Sequence, residues 1–224
     1  MPRTTSVSLM LLPAAKPGPY RGVASGYHRA MATPSGRASS LPFTGIAEAD
    51  RLLAEDPLAL LIGFALDQQV TVQKAFSGPW ELRRRIGHLD AGRIAAMDPS
   101  ELDRVFRERP ALHRFPASMA GKVQALAAAI ARDYGGDASR IWLEASDGRD
   151  LQARLLALPG FGEMKARSIL AILGKQLGVE LPGMAGVLPA HPTLGDVDSA
   201  EALASYQAGK RAKKAELRAQ GKRV

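Results

Sequence analysis

The 224-residue sequence predicts an all-α fold, and three observations lead to this expectation. Aromatic residues make up only 5% of the chain, and alanine and leucine dominate a hydrophobic content of 46%. Both residue types favour helices over strands. Apolar residues recur at helical rather than alternating spacing, so we expect almost no β-structure. The length suits one sizeable domain with tails.

The net charge of +8 is distributed unevenly along the chain. Residues 1–40 carry a charge of +5, lack any periodic pattern and are rich in glycine, proline and serine, which predicts a disordered basic tail. Residues 209–224 carry +6 and are expected to form a basic C-terminal tail. The body, residues 41–208, is left at −3, so any nucleic-acid footprint on it must be a local patch.

Helix signals occur along the whole body. Asp56-Pro57 is a helix start, and the apolar residues 58–66 that follow predict a helix at the centre of the domain. Further helices are expected over the approximate ranges 79–87, 90–97, 100–107, 118–134, 149–156, 163–177 and 199–219, with a loop at 178–197.

A Pro-Gly-Phe-Gly turn connects two of these helices. Pro159 fixes one φ, and Gly160 and Gly162 permit positive φ values, as a tight interhelical turn requires. The next helix presents free amides and the positive end of its dipole, a combination that binds phosphate, and Lys165 adds charge in its first turn. The same residues, Phe161 among them, also suit an ordinary corner between two helices.

In context, residues 158–162 followed by Ala166 resemble the hairpin of the helix-hairpin-helix (HhH-GPD) DNA glycosylases, in a small bacterial-type member without an iron–sulfur cluster. Residues 66–70 resemble a glutamine-containing turn of that family, which reaches into the duplex beside a flipped nucleotide. The resemblance covers about residues 45–180 and implies base excision repair. It implies the gap-filling role for Gln69, with Gln68 as a second candidate; a polar helix end is the alternative.

The catalytic carboxylate has two candidates. Cleaving an N-glycosidic bond creates an oxocarbenium-like sugar that needs a nearby carboxylate. The resemblance implies an aspartate in a Val-Asp-Thr-like segment after the hairpin; Asp198 lies in such a segment, but later in the sequence, and Glu180 is the only acid in residues 178–183. Asp198 or Ser199 also suits the N-cap of the last helix, and capping and catalysis are compatible.

Lyase activity and cofactors are not expected. Family members with lyase activity carry a lysine two residues after the second glycine of the hairpin, where this chain has Met164; Lys165 lies about 100° further around the helix and is assigned to phosphate. The absence of cysteine excludes cysteine-ligated iron–sulfur clusters, and no histidines have metal-ligand spacing. The resemblance allows a monovalent cation at the hairpin carbonyls.

Double-stranded DNA is the expected partner, in the cytoplasm at the nucleoid, with no protein partner evident. No apolar run reaches the roughly 18 residues of a membrane helix. A non-catalytic DNA-binding protein that has lost the acid is the alternative, and a protein-interaction module is a third possibility that salt-dependent DNA binding would exclude. Trp80, Phe115 and Trp142 are expected in the core, and residues 83–85, three arginines, on a solvated helix face.

Overall fold

A computed structural model describes residues 37–221, and this part of the chain is entirely helical, which confirms the predicted all-α class. No helix within residues 37–221 is both long and apolar enough to cross a membrane. Two 3-10 turns, Met184–Gly186 and Leu194–Asp196, accompany the α-helices. The α-helices are α1 Ala47–Glu55, α2 Pro57–Leu66, α3 Val72–Ile86, α4 Ala91–Ala96, α5 Pro99–Arg107, α6 Pro116–Tyr134, α7 Arg140–Leu143, α8 Gly148–Leu156, α9 Glu163–Lys175 and α10 Ala200–Ala219.

Helix α2 is the centre of the core, as its composition predicts. The Asp56 carboxylate accepts hydrogen bonds from the amides of Leu58 and Ala59 at 2.9 and 3.1 Å, which caps the helix. Every residue from Leu58 to Leu66 is buried, and α2 packs against α1, α3 and α6. At Gly63 a Cβ atom would lie 2.6 Å from a ring carbon of Phe76, so the close approach of α2 and α3 requires glycine.

Helix α3 begins earlier than the sequence predicts. It starts at Val72 rather than near residue 79, with Thr71 as its cap and Pro79 in its interior. Proline lacks the amide for an internal helical hydrogen bond and is therefore better tolerated in the first turn of a helix than in its interior. Burial of Phe76 and Leu82 on the core face continues the helix through Pro79. Helices α1 and α7 were not predicted, and neither begins with a side-chain cap, the signal by which a helix start is recognised in a sequence.

The connection between α5 and α6 is held by side chains of α3. The Arg85 guanidinium donates to the carbonyls of Val105, Glu108 and Pro110 at 2.7, 3.0 and 2.7 Å. Lys74 Nζ donates to the Ala111 carbonyl at 2.6 Å. The prediction of a solvated helix face is therefore wrong for Arg85, because its donors bind carbonyls of the neighbouring loop instead of water.

The segment between α9 and α10 is anchored on α9. The buried Gln176 amide donates to the carbonyls of Leu194, Gly195 and Val197 at 3.1, 2.9 and 3.1 Å. Gly195 lies so close to α9 that a Cβ atom there would approach the carbonyl carbon of Ala171 to 2.5 Å. The predicted loop is confirmed, and its last part has a fixed position where it enters α10.

The domain borders differ from those predicted. The amide of Ala38 donates to the Gln176 carbonyl at 2.7 Å, and Arg37 donates to the Ala54 carbonyl at 3.0 Å, so residues 37–40 belong to the body. The remainder of the predicted N-terminal tail, residues 1–36, lies outside the described residues. Helix α10 ends at Ala219, in agreement with the predicted range 199–219, so most of the basic C-terminal segment is part of the last helix.

Candidate functional site

The hairpin between α8 and α9 presents backbone to the outside. Gly160 adopts φ 77°, in the left-handed region that favours glycine, and Gly162 is the N-cap of α9 without any side-chain cap. Pro159, Gly160 and Gly162 are exposed. The Phe161 ring is only 6% exposed and packs in the core, so this residue offers an outside ligand only its backbone.

The first turn of α9 has unused donors. Within residues 37–221 the amides of Gly162, Glu163 and Met164 donate no hydrogen bond. Free amides at the positive end of a helix dipole are suited to an anion such as a phosphodiester. The Glu163 carboxylate at the same end pairs with Arg167 at 3.3 Å, which offsets its charge. The backbone geometry therefore suits the phosphate-binding role that the sequence predicts.

The turn between α2 and α3 distinguishes its two glutamines. Gln69 is exposed and adopts φ 57°, the only positive φ of a non-glycine residue in the described part of the chain. Such a conformation costs about 1–2 kcal/mol in an ordinary residue. Gln68 is bound within the protein, because its Nε2 donates to the Ala65 carbonyl at 2.9 Å and its Oε1 accepts from Lys122 Nζ at 2.6 Å. Only Gln69 has its side chain available to an outside partner.

His113 connects the α5–α6 loop to this turn. Its Nδ1 accepts from the Phe115 amide at 3.0 Å, so Nε2 carries the proton and donates to the Gln68 carbonyl at 3.1 Å. Burial lowers the pKa of His113, which keeps the ring neutral near pH 7. Because 45 residues separate His113 from Gln68, no local sequence pattern links the two.

Phe115 is an exposed aromatic beside the glutamine turn. Its side chain is 40% exposed, and its ring lies 5.9 Å from the His113 ring. The prediction that Phe115 lies in the core is therefore wrong, whereas Trp142 is buried as predicted and Trp80 is half-buried under Arg84. Phe115 precedes α6 in a loop held by α3, and this position, which tertiary contacts determine, places the ring outside.

Asp67 and Lys165 bring the two motifs together. Asp67 ends α2, Lys165 lies in the first turn of α9, and their charges are close enough to interact. Burial raises the pKa of Asp67, and the ammonium groups of Lys210 and Lys165 oppose that rise. Burial lowers the pKa of Lys165, which the Asp67 carboxylate opposes and Lys122 reinforces. The hairpin and the glutamine turn thus belong to one region of the molecule.

The Lys165 amine points inward. Its Nζ is buried without a hydrogen-bond partner among the described residues and lies 5.4 Å from the centroid of the Phe161 ring. For the expected contact with phosphate, the side chain would have to turn outward. In the observed position the charge of Lys165 acts on Asp67.

The two candidate acids of the C-terminal segment are exposed. Asp198 and Glu180 accept no hydrogen bond from the described residues. Ser199 is the cap of α10, with its Oγ accepting from the Ala202 amide at 3.1 Å, so Asp198 does not perform the capping role. Asp196, by contrast, is bound by Lys175 and by the Thr193 amide.

A groove of 590 Å³ separates the start of α10 from the loop that precedes it. Asp198 directly follows Val197, a residue of its wall, and Lys210, whose charge acts on Asp67, lies at the same groove. Apolar and polar side chains both form its wall. The apolar ones are Pro192, Val197, Ala202 and Tyr206, and the polar or charged ones are Thr193, Asp196, Ser205, Lys210 and Lys213.

No family model matches the chain, and no curated protein matches it significantly. The likeness to the helix-hairpin-helix glycosylases therefore rests on the residues of the hairpin and of the glutamine turn. Within residues 37–221 no group of three or more histidine, aspartate or glutamate side chains is arranged to hold a metal ion. The monovalent cation at the hairpin carbonyls stays a prediction.

The Gln69→Gly variant tests the backbone strain of this residue and the role of its side chain separately. We expect the free energy of unfolding of the variant to increase by about 1 kcal/mol, because glycine adopts positive φ without strain. The gap-filling role that the sequence predicts for Gln69 also requires weaker binding of this variant to a duplex that contains an abasic site. Urea unfolding and fluorescence anisotropy measure the two effects. Loss of stability in Gln69→Gly would contradict the strain, and unchanged affinity would contradict the gap-filling role.

Proposed function

We propose that the chain is a DNA glycosylase of base excision repair, which hydrolyses the N-glycosidic bond of a damaged or mismatched base in double-stranded DNA. One observation carries this proposal. The charges of Asp67 and Lys165 act on each other's pKa without forming an ion pair, and these two residues belong to a turn with an exposed, positive-φ glutamine and to a hairpin with free helix amides. Neither feature has a structural need for the other, and a protein that flips a nucleotide needs both close together.

Each feature has a part in holding a distorted duplex. The amides at the start of α9 bind a phosphate, which fixes the position of the backbone without reading sequence. Gln69 enters the space that the flipped nucleotide leaves, where its amide offers both a donor and an acceptor to the orphaned base. Phe115, exposed on the adjoining loop, stacks on a neighbouring base. The basic face of α10 adds phosphate contacts that raise affinity.

The chemistry requires a carboxylate beside the sugar. Water adds to C1′, the C1′–N bond breaks with its electron pair leaving on the base, and the sugar passes through a positively charged state. We assign the stabilising negative charge to Asp198, with Glu180 as the second candidate. The anchoring of the preceding segment by Gln176 supports Asp198, because a carboxylate stabilises charge only from a fixed position. Glu180 follows Val179, whose amide donates a backbone hydrogen bond to the Leu173 carbonyl at 2.9 Å, so its anchor is a single backbone hydrogen bond rather than a side chain that binds three carbonyls.

We expect no lyase activity, because the Lys165 amine is buried. Borohydride should trap no covalent adduct between the wild-type protein and DNA, and Lys165→Ala should give the same result. Met164→Lys is the matched gain-of-function control, since residue 164 is 69% exposed and occupies the position of the lyase nucleophile in the resembled family. A wild-type adduct that disappears in Lys165→Ala would contradict this expectation.

A non-catalytic DNA-binding protein is the second candidate, and the exposure of both candidate acids favours it. Both functions require the affinity for duplex DNA to fall steeply between about 50 and 200 mM salt, because binding releases counterions. Affinity independent of salt would favour a protein-interaction module instead. Release of free base from a damaged duplex, with the strand intact until alkali is added, is the activity that only the glycosylase has.

A further inference from the structure

Asp67 is an anomaly among the carboxylates of residues 37–221. Seven of these carboxylates are withdrawn from solvent, and Asp67 is the only one that neither accepts a hydrogen bond nor forms an ion pair with another described residue. The other six are Asp50, Asp56, Glu81, Asp103, Asp147 and Asp150, each of which caps a helix, binds loop amides or pairs with an arginine.

The position of Asp67 is unfavourable for stability. A half-buried carboxylate without hydrogen bonds from the protein loses part of its hydration and receives no hydrogen bond in exchange. It is also the C-cap of α2, where the negative end of the helix dipole repels it. An uncompensated charge in such a place is a mark of a functional group rather than a structural one.

The surroundings of Asp67 suit acid–base chemistry. The charges of Lys165 of α9 and Lys210 of α10 act on it and oppose the rise that burial causes in its pKa, and neither amine bonds the carboxylate directly. Lys122 of α6 acts on Lys165 and binds Gln68. His113, neutral and bound to the Gln68 carbonyl, completes the set of titratable groups at this turn.

We propose that Asp67 is a catalytic carboxylate of this site, the base that accepts a proton from the attacking water. This inference rests on the proposed glycosylase function. The water oxygen bonds to C1′ of the flipped nucleotide while its proton passes to the Asp67 carboxylate, and the C1′–N bond breaks with its electrons leaving on the base. Asp198 offsets the positive charge of the sugar. The position of Asp67 suits this role, because it lies two residues before the glutamine that enters the duplex.

The test compares base release by the wild type and by Asp67→Asn, with Asp103→Asn as the control. Asp103 is also half-buried, but it pairs with Arg107 at 2.8 Å and lies in α5, apart from both motifs. Asp67→Asn is expected to release base at least about a hundredfold more slowly, with unchanged affinity for duplex DNA, whereas Asp103→Asn keeps its activity. The pH–rate profile of Asp67→Asn is expected to lose its acidic limb.

Thermal unfolding distinguishes a catalytic role of Asp67 from a structural one. A structural role predicts a lower melting temperature for Asp67→Asn, and a catalytic role predicts a higher one. Because burial raises the pKa of Asp67 in the folded protein, its ionised form destabilises the fold above that pKa, and the effect vanishes below the ordinary value of 3.8. Asp67→Asn is therefore expected to melt at a higher temperature than the wild type at neutral pH, and to lose this advantage in acid.

The outcomes separate the two proposals. No base release by the wild type on any lesion would overturn the glycosylase function, and the inference with it. Release by the wild type and equally by Asp67→Asn at every pH would overturn the role of Asp67 and leave the glycosylase standing. Joint loss of folding, DNA binding and activity in Asp67→Asn would identify a structural residue and also overturn the inference.

Discussion

Asp198→Asn is expected to lower the rate of base release by about 10²–10⁴-fold, with little change in the affinity for duplex DNA. The substitution preserves size and removes the negative charge that the sugar needs as it becomes cationic. Asp198 is exposed and accepts no hydrogen bond from residues 37–221, so its loss should leave the fold intact. Single-turnover assays on a duplex with one lesion measure the rate directly.

Glu180→Gln is the matched control for this substitution. Glu180 is equally exposed, and it lies in the same connection between α9 and α10 but outside the part that Gln176 anchors. We expect it to release base at the wild-type rate. Activity lost in Glu180→Gln and retained in Asp198→Asn would move the role to Glu180. Activity retained in both variants would mean that neither acid stabilises the sugar.

Phe76→Ala is expected to destabilise the folded protein by about 3–5 kcal/mol, a large part of the stability of a typical domain. The Phe76 ring is fully buried and makes edge-to-face contacts with Phe43 and Phe64, with centroid distances of 5.2 and 5.0 Å. Its removal leaves a cavity between α2 and α3, directly below the turn that carries Gln69. Equilibrium unfolding in urea measures the loss.

Phe115→Ala makes the same chemical change on the surface. Because Phe115 is 40% exposed, we expect the free energy of unfolding to change by less than about 1 kcal/mol. Loss of a base stack is instead expected to weaken binding to damaged duplex by about 1–3 kcal/mol. Destabilisation by Phe115→Ala as large as that of Phe76→Ala would contradict the surface position of the ring. Unchanged DNA affinity would contradict its stacking on a base.

Local signals in the sequence predict much of the fold. Asp56-Pro57 and the apolar run behind it define α2, because capping and burial act within a few residues of each other. Helix α3 was predicted to begin near residue 79 instead of at Val72. Its true start depends on Thr71 and on the packing of Phe76 against Gly63, a contact between two helices.

The candidate site was predictable only where its parts are local. The hairpin at residues 159–162 and Gln69 are recognisable from adjacent residues. Asp67 was not predicted as a site residue. It is distinguished by the absence of hydrogen bonds and ion pairs with the described residues and by the charges of two lysines from distant helices, and none of these can be recognised in a short stretch of sequence. Arg85, which binds one carbonyl of α5 and two of the loop behind it, and Phe115, which that loop exposes, likewise depend on contacts that no short stretch of sequence contains.

Base release from a panel of labelled duplexes tests the central claim most directly. The duplexes carry alkylated, deaminated or oxidised bases, and alkali converts each abasic site into a strand break. The glycosylase proposal predicts release from at least one class of lesion, with breaks that appear only after alkali. No release from any lesion, together with binding to the same duplexes that weakens as salt rises, would contradict it and identify a DNA-binding protein without this activity.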